Sequence, residues 1–296
     1  MSTVVLIIGD LMVDIVVDMP GEMIRGSDMP SQISTTFGGT AANVATWLSQ
    51  AGGSARIVGV VGDDVWGKEF QRHLASFDID VRVTTSPTQP TGAVVALCHP
   101  DGERSFFPDA RANSELSQIS PSDNMWENVS CLYMSGYTLL NPASRAWALQ
   151  LMHSARERNV KVVLDPASSG PLTDIPLHEL QEWLAAADVL LPNEQELEVL
   201  ERKLPRSEWG ASQVITKRGE RGALVETRAG SWDLAAPVVQ IVDTIGAGDA
   251  FAAGLLSGLS EDQPLEQAAE RAIKVAAAAV SIRGAQPTVS STLELT

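Results

Sequence analysis

Cysteine is scarce. Cys98 and Cys131 are the only two in 296 residues, and neither has a C-x-x-C or other paired spacing, which excludes a disulfide scaffold and a structural zinc site. Positive charge is scarce too: 21 Lys and Arg stand against 37 Asp and Glu, a formal net charge of −16. Such a surface repels phosphate backbones and anionic headgroups, which excludes nucleic acid and membrane as partners. An anionic co-substrate can then bind only through local devices such as amide clusters, helix ends or a metal ion. The four histidines, His73, His99, His153 and His178, have no metal-ligand spacing. No apolar run approaches the roughly 20 residues of a membrane span. The chain enters its first apolar run at Val4 without a basic leader, so a cytoplasmic location with free thiols is expected. No G-x-G-x-x-G follows that run, which argues against a nicotinamide-dependent dehydrogenase. No loop ends in Gly-Lys-Ser/Thr, which argues against a Walker-type phosphate loop.

What is present is a 44% hydrophobic chain able to bury one large core. Short runs of Val, Ile and Leu alternate with longer helical patterns, the rhythm of strands buried on both faces of a mostly parallel sheet. The spacing predicts strands at about 4–9, 56–61, 130–135, 160–164, 188–191, 213–216 and 222–226. Helices are predicted at about 40–52, 66–77, 142–158, 177–186, 194–203, 247–259 and 264–282. This is an α/β sandwich, and 1–296 reads as a single domain. Two stretches, about 14–37 and 91–111, alternate apolar with polar residues, as a sheet with one wet face does. The second carries a Pro100-Asp101-Gly102 turn.

Two segments carry chemistry. Asp243-Thr244-Ile245-Gly246-Ala247-Gly248-Asp249 runs into the buried-helix composition of Ala250–Leu256. Small residues at 246–248 let backbone amides crowd at a helix N-terminus, where the dipole favours anions, and Asp249 beside them can take a proton from an attacking hydroxyl. The same pattern also fits a capped turn. Far upstream, Phe37-Gly38-Gly39-Thr40-Ala41-Ala42-Asn43 opens another helix with a Gly pair and places Asn43 one turn in.

Together these segments resemble the two signatures of the ribokinase, or PfkB, family of carbohydrate and nucleoside kinases, in the family's order and at its separation. The resemblance runs from Leu6 to Pro287. It implies a ribokinase-like three-layer α/β/α sandwich with a small β-sheet lid made by 14–37 and 91–111, a lid that in the family sometimes pairs two subunits into a homodimer. It also implies ATP as phosphate donor, with Asp249 as the catalytic base and the amides of Gly246, Ala247 and Gly248 as the anion hole. Asp14, with Gly39 and Asn43, matches the acceptor floor, and Asp10 either joins it or begins the lid turn. Pro192-Asn193-Glu194-Gln195-Glu196 matches the family's Asn-x-x-Glu, which would position Mg2+ with the nucleotide phosphates, although Asn193 and Glu196 equally form a capping box. Thr216, Gly219 and Gly222 match the nucleotide loop, where a charged hairpin turn would look alike; the Ala-rich stretch 272–280 matches the adenine slot, where plain helix packing predicts Ala equally well; and Asp165 matches the phosphate path. Asp243, the carbonyls of Ile245, Ala279, Ile282 and Gly284, and Thr288 match a potassium site, although Asp243 also fits a turn-initiating Asx residue.

Met12 and Tyr137 stand where ribokinases carry Asn and Glu, which argues against free ribose; Met12, Phe106 and Tyr137 can instead face a base or another ring. A phosphorylated acceptor would need cations, and only Arg104 and Arg111 in the lid offer them. The expected activity is phosphorylation of the hydroxymethyl group of a small sugar, with an adenosine- or pseudouridine-type nucleoside as the alternative. A catalytically idle sensor of the same ligands is the alternative of another class.

Overall fold

The computed structural model describes residues 3–100 and 104–289, so Asp101 and Gly102 of the expected turn lie outside the described residues. The first strand, β1 (Val4–Ile8), is wholly apolar and contributes to two cores: Val5 and Ile7 to one face of the sheet, Leu6 and Ile8 to the other. That division by alternate residues is what a strand buried on both faces requires. The chain then leaves for the lid through β2 (Met12–Asp18) and β3 (Gln32–Gly38), and returns through α1 (Thr40–Gln50), β4 (Ser54–Gly62), α2 (Val65–Ala75) and β5 (Asp80–Ser86). A second excursion makes β6 (Gly92–Cys98) and β7 (Arg104–Asp109).

The remainder alternates: β8 (Val129–Ser135), α3 (Gly136–Leu140), α4 (Arg145–Glu157), β9 (Lys161–Asp165), α5 (Ser169–Asp174), α6 (Leu177–Ala186), β10 (Val189–Leu190), α7 (Glu194–Lys203) and β11 (Gln213–Lys217). It closes with β12 (Ala223–Thr227), β13 (Gly230–Leu234), α8 (Ala247–Ser260) and α9 (Leu265–Val280). One nine-stranded sheet has the order β13-β12-β11-β10-β9-β8-β1-β4-β5, parallel except for the β11–β12 and β12–β13 pairs. Helices α1, α2, α8 and α9 cover one face, and α4, α6 and α7 the other. The lid is a separate four-stranded sheet, β3-β2-β6-β7. This is the ribokinase-like α/β fold. Strands β5 and β13 are not in the sequence-predicted set; they are the two edges of the large sheet, where the buried apolar run that marks a central strand is absent.

One buried side chain ties the start of the lid to the sheet. Asn113, fully buried, accepts from the Leu11 amide (2.9 Å) and donates to the Leu11 carbonyl (3.0 Å), stitching the β1–β2 connection. Its Nδ2 also donates to Met12 Sδ (3.2 Å). Met12 is therefore a buried part of the hinge.

Helix α1 begins at Gly39, whose φ of 88° suits glycine; a Cβ there would stand 2.3 Å from the Asp10 carbonyl oxygen. Gly39→Ala is expected to lower the urea midpoint by the equivalent of more than ~2 kcal/mol at constant m, whereas Gly52→Ala, with a similar φ but open space around it, costs about 1 kcal/mol. Equal effects would show that the approach of the Asp10 backbone does not constrain this turn.

Candidate active site

In an open parallel sheet, ligands bind beyond the carboxyl ends of the strands, where chains part to either side. Here β1 lies between β4 and β8, and the chain segments leaving β1, β8, β9, β10 and β11 carry Asp10, Tyr137, Asp165, Asn193 and Lys217 to that edge. Over it converge the N-termini of α1 and α8. Their N-cap residues are Gly39 and Gly246, and neither has a side-chain cap. Gly246 has a φ of 73°, and a Cβ there would come within 2.6 Å of the Ala285 carbonyl oxygen. The Ala247 amide makes only a long 3.4 Å bond to the Thr244 carbonyl, so the first turn of α8 retains donor capacity toward the cleft.

The two helix starts are joined side chain to side chain. Asn43 Nδ2 donates to Asp249 Oδ2 at 2.8 Å, and Asn43 Oδ1 accepts from Gln286 Nε2 at 3.0 Å. Burial pushes the Asp249 carboxyl up to about 7, against the lowering effect of Asn43, with the Asp165 charge adding to the rise. Burial also lifts Asp14 to about 7 and Asp10 to about 6. Asp14 Oδ1 is buried without a partner among the described residues, and its carboxylate packs against Gly38, where a Cβ would meet Oδ2 at 2.2 Å. Asp10, Asp14, Gly39, Asn43 and Asp249 thus form one polar floor.

Strand pairing places Phe106 on the lid face that also carries Asp14 and Arg104; Phe106 is 55% exposed there and Tyr137, opposite on the body, 41%. Under the floor, the Tyr133 hydroxyl is fully buried without a partner among the described residues; burial and the Asp165, Asp249 and Glu196 charges raise its ionisation well above the ordinary value.

Beside this floor opens a cavity of about 740 Å³. One end is polar, with Asn193, Lys217, Thr244 and Gly248; Gly219 and Gly222 form part of the wall. The other end is apolar, lined by Val238, Ile241, Phe251, Ile273, Ala276, Ala277 and Val280. A slot with one greasy and one polar end suits a base and its phosphates. Asn193 and Glu196 form the complete capping box of α7: Glu196 N donates to Asn193 Oδ1 (2.8 Å), and Asn193 N and Nδ2 donate to Glu196 Oε2 (2.8 Å) and Oε1 (2.7 Å). Glu196 is nonetheless raised by burial, and it faces Lys217 and Asp165.

The strand register bears on the nucleotide-loop assignment. Thr216 does not line the cavity; Lys217 does. Successive strand residues point to opposite faces, and Ile215 packs with the α8 side while Val214 packs with the other, so 217 and not 216 is aimed at α8. Thr216 Oγ1 is buried with no partner among the described residues. Lys217 Nζ donates to Asp165 Oδ2 at 2.7 Å and would lie 3.7 Å from a Cβ on Gly248. Burial works against its charge, but Asp165 and Glu196 outweigh that and hold Lys217 above the ordinary lysine value. Sequence reasoning passed over Lys217 because the Thr and Gly positions were matched without the strand register.

Residues matched to a potassium site lie close to the start of α8. Asp243, Ile245 and Gly284 come together, with the Ile245 and Gly284 amides donating to the Asp243 carboxylate. The Ala279 carbonyl accepts from Ile282 N at 3.2 Å in the helix's last turn, the carbonyl beside the Asp243 backbone is that of Val280, and Thr288 is exposed.

Because the folded state raises the Asp249 pKa from 3.8 to about 7, the carboxyl contributes stability that is complete below its unfolded value and is lost as pH rises through 7. Asp249→Asn removes that loss. Its melting temperature relative to the parent is expected to be unchanged near pH 4 and several degrees higher at pH 8; a difference independent of pH would show that Asp249 is not held in a carboxylate-disfavouring site.

Residues 2–292 match the family model described as pfkB family carbohydrate kinase. The chain is 28% identical to a fructokinase of Escherichia coli, covering 100% of this chain and 99% of that protein. It is 32% identical to an ATP-dependent ribose-1-phosphate kinase of Halopiger xanaduensis, covering 84% and 82%. The crystal structure of adenosine kinase from Sinorhizobium meliloti superposes with a TM-score of 0.87 at 24% identity, over 98% of this chain and 97% of that one. Matched over nearly all its length, the chain belongs to the PfkB family of carbohydrate kinases, phosphotransferases that use ATP and an alcohol acceptor.

Proposed function

We propose that this kinase transfers the γ-phosphoryl group of ATP to the hydroxymethyl group of a small sugar, with Asp249 as the base. The observation that carries the reading is the 2.8 Å bond from Asn43 to Asp249 at the foot of α8, because it fixes a proton acceptor beside first-turn amides that no side chain caps. Asp249 takes the proton of the acceptor hydroxyl as that oxygen attacks. The amides of Gly246, Ala247 and Gly248 and the Lys217 ammonium gather positive charge where negative charge develops in transfer. Asp10, Asp14 and Asn43 offer the acceptor hydroxyls partners, and the buried, unpartnered Asp14 Oδ1 is the one most in need of a donor.

The adenine base takes the apolar end of the cavity, between Phe251 on α8 and Ala276 and Ala277 on α9. Mg2+ would come with the nucleotide phosphates. Asp165 and Glu196 are the hard oxygen donors that suit a cation which keeps its waters. When bound, Mg2+ neutralises charge on the phosphates.

Arg104 and Arg111, the cations a phosphorylated acceptor would use, are already paired with Asp243 and Asp109, which favours a neutral sugar over a phosphosugar. The exposed rings of Tyr137 and Phe106 favour a second reading, a nucleoside whose base lies against them. The outer lid face, with Ile33 66% and Phe107 58% exposed, supports a homodimer built through the lid. Sedimentation equilibrium is expected to give a dimer that Phe107→Asp converts to monomer; a parent chain that is monomeric throughout contradicts this.

In a panel of free pentoses, hexoses, nucleosides and phosphosugars assayed for ADP release, turnover is expected with a free sugar. Asp249→Asn should lower kcat by ~10²–10⁴ while leaving acceptor binding measurable, and Lys217→Met should raise the KM for ATP and lower kcat at least ~10-fold. Turnover with phosphosugars alone overturns the acceptor assignment, and unchanged turnover in Asp249→Asn removes the base.

A further inference from the structure

The loop that enters α8 is anchored by Asp243, and the carboxylate of Asp243 is almost fully engaged. Oδ1 accepts from the Ile245 amide at 2.9 Å and from Arg104 Nη2 at 3.0 Å; Oδ2 accepts from the Gly284 amide at 3.0 Å. The ion pair is well covered, with side chains 8% exposed at Asp243 and 25% at Arg104. Burial by itself would raise the Asp243 carboxyl, yet the Ile245 and Gly284 amides and the guanidinium together bring it below the ordinary value. Arg104 belongs to β7, so this contact crosses from the lid to the body of the protein.

A potassium ion, which the family resemblance implies beside this aspartate, requires an uncompensated carboxylate and inward carbonyl oxygens. The first requirement is not met: the Asp243 charge is matched by a guanidinium, and both carboxylate oxygens already accept from backbone amides. A second monocation would sit against Arg104 in a poorly solvated place, where like charges repel strongly.

We infer that Arg104 is the built-in cation of this kinase: its guanidinium supplies, at Asp243, the charge that potassium would supply, so that phosphoryl transfer proceeds without a monovalent ion. Arg104 is a positioning residue. It does not reach the phosphate; it fixes the carboxylate oxygen that also holds the Ile245 amide, and Ile245 immediately precedes Gly246 at the start of α8. The planar guanidinium is charged at every working pH, and it reaches the anion-binding turn from the lid strand β7. The inference rests on the kinase reading above and concerns a separate group.

The test has two arms, each comparing about 100 mM KCl with the same concentration of tetramethylammonium chloride. In thermal melts without substrates, the parent chain is expected to melt at one temperature in both salts, whereas Arg104→Gln melts lower and is raised a few degrees by potassium as the vacated carboxylate binds it. In ADP release, the parent rate should agree within about twofold between salts. Arg104→Gln should fall at least ~10-fold without potassium and recover in part with it, and Arg104→Lys, which keeps the charge, should remain independent of potassium. Stimulation or stabilisation of the parent by potassium, or an Arg104→Gln variant that matches the parent in both salts, overturns the inference. If no acceptor turns over in either salt, the acceptor reading fails while the melting arm still decides the role of Arg104.

Discussion

One hydrogen bond organises the cleft. Asn43 and Asp249 are 206 residues apart and joined at 2.8 Å, and through them the first turns of α1 and α8 are locked over the carboxyl ends of the strands. Gln286 extends the tie by donating to Asn43 Oδ1, and Trp47 Nε1, one turn further along α1, donates to the Ala285 carbonyl at 2.9 Å. The same Ala285 carbonyl crowds Gly246. A base, a helix N-terminus and the polar floor are therefore held in one frame by side chains that are themselves packed, which is the preorganisation that proton and phosphoryl transfer require.

The electrostatics of the site answer a difficulty set by composition. A chain with a net charge of −16 has to receive an anionic nucleotide, and it does so with very few cations in the cleft. Lys217 is kept charged by Asp165 and Glu196 and sits over the first turn of α8. Around it, burial lifts three carboxyls, Asp10, Asp14 and Asp249, toward neutrality, which lowers the local negative charge a phosphate would meet. The same burial gives Asp249 a proton affinity suited to a base at neutral pH.

Much of this was legible in the chain itself. The Gly pairs and the residues one turn beyond them mark α1 and α8, and the double burial of Val, Ile and Leu runs marks the central strands. The edges were not legible: β5 and β13 carry the mixed residues of strands with one neighbour. Nor was register. A Thr-x-x-Gly-x-x-Gly pattern pointed to Thr216, but the two-residue period of β11 turns Lys217 toward the nucleotide slot. The pairing of Met12 with Asn113, 101 residues away, was not legible either. Arg104 meeting Asp243 is likewise a product of lid geometry, which no local spacing encodes.

The central claim is that Asp249, oriented by Asn43, is the proton acceptor. The pH dependence of kcat/KM for the best acceptor tests it most directly, since that profile reports the free enzyme's essential base. With the carboxyl lifted to about 7, the account predicts a steep rise as pH increases toward 7 and a plateau above it. A profile that stays flat from pH 5 to pH 8 would contradict it.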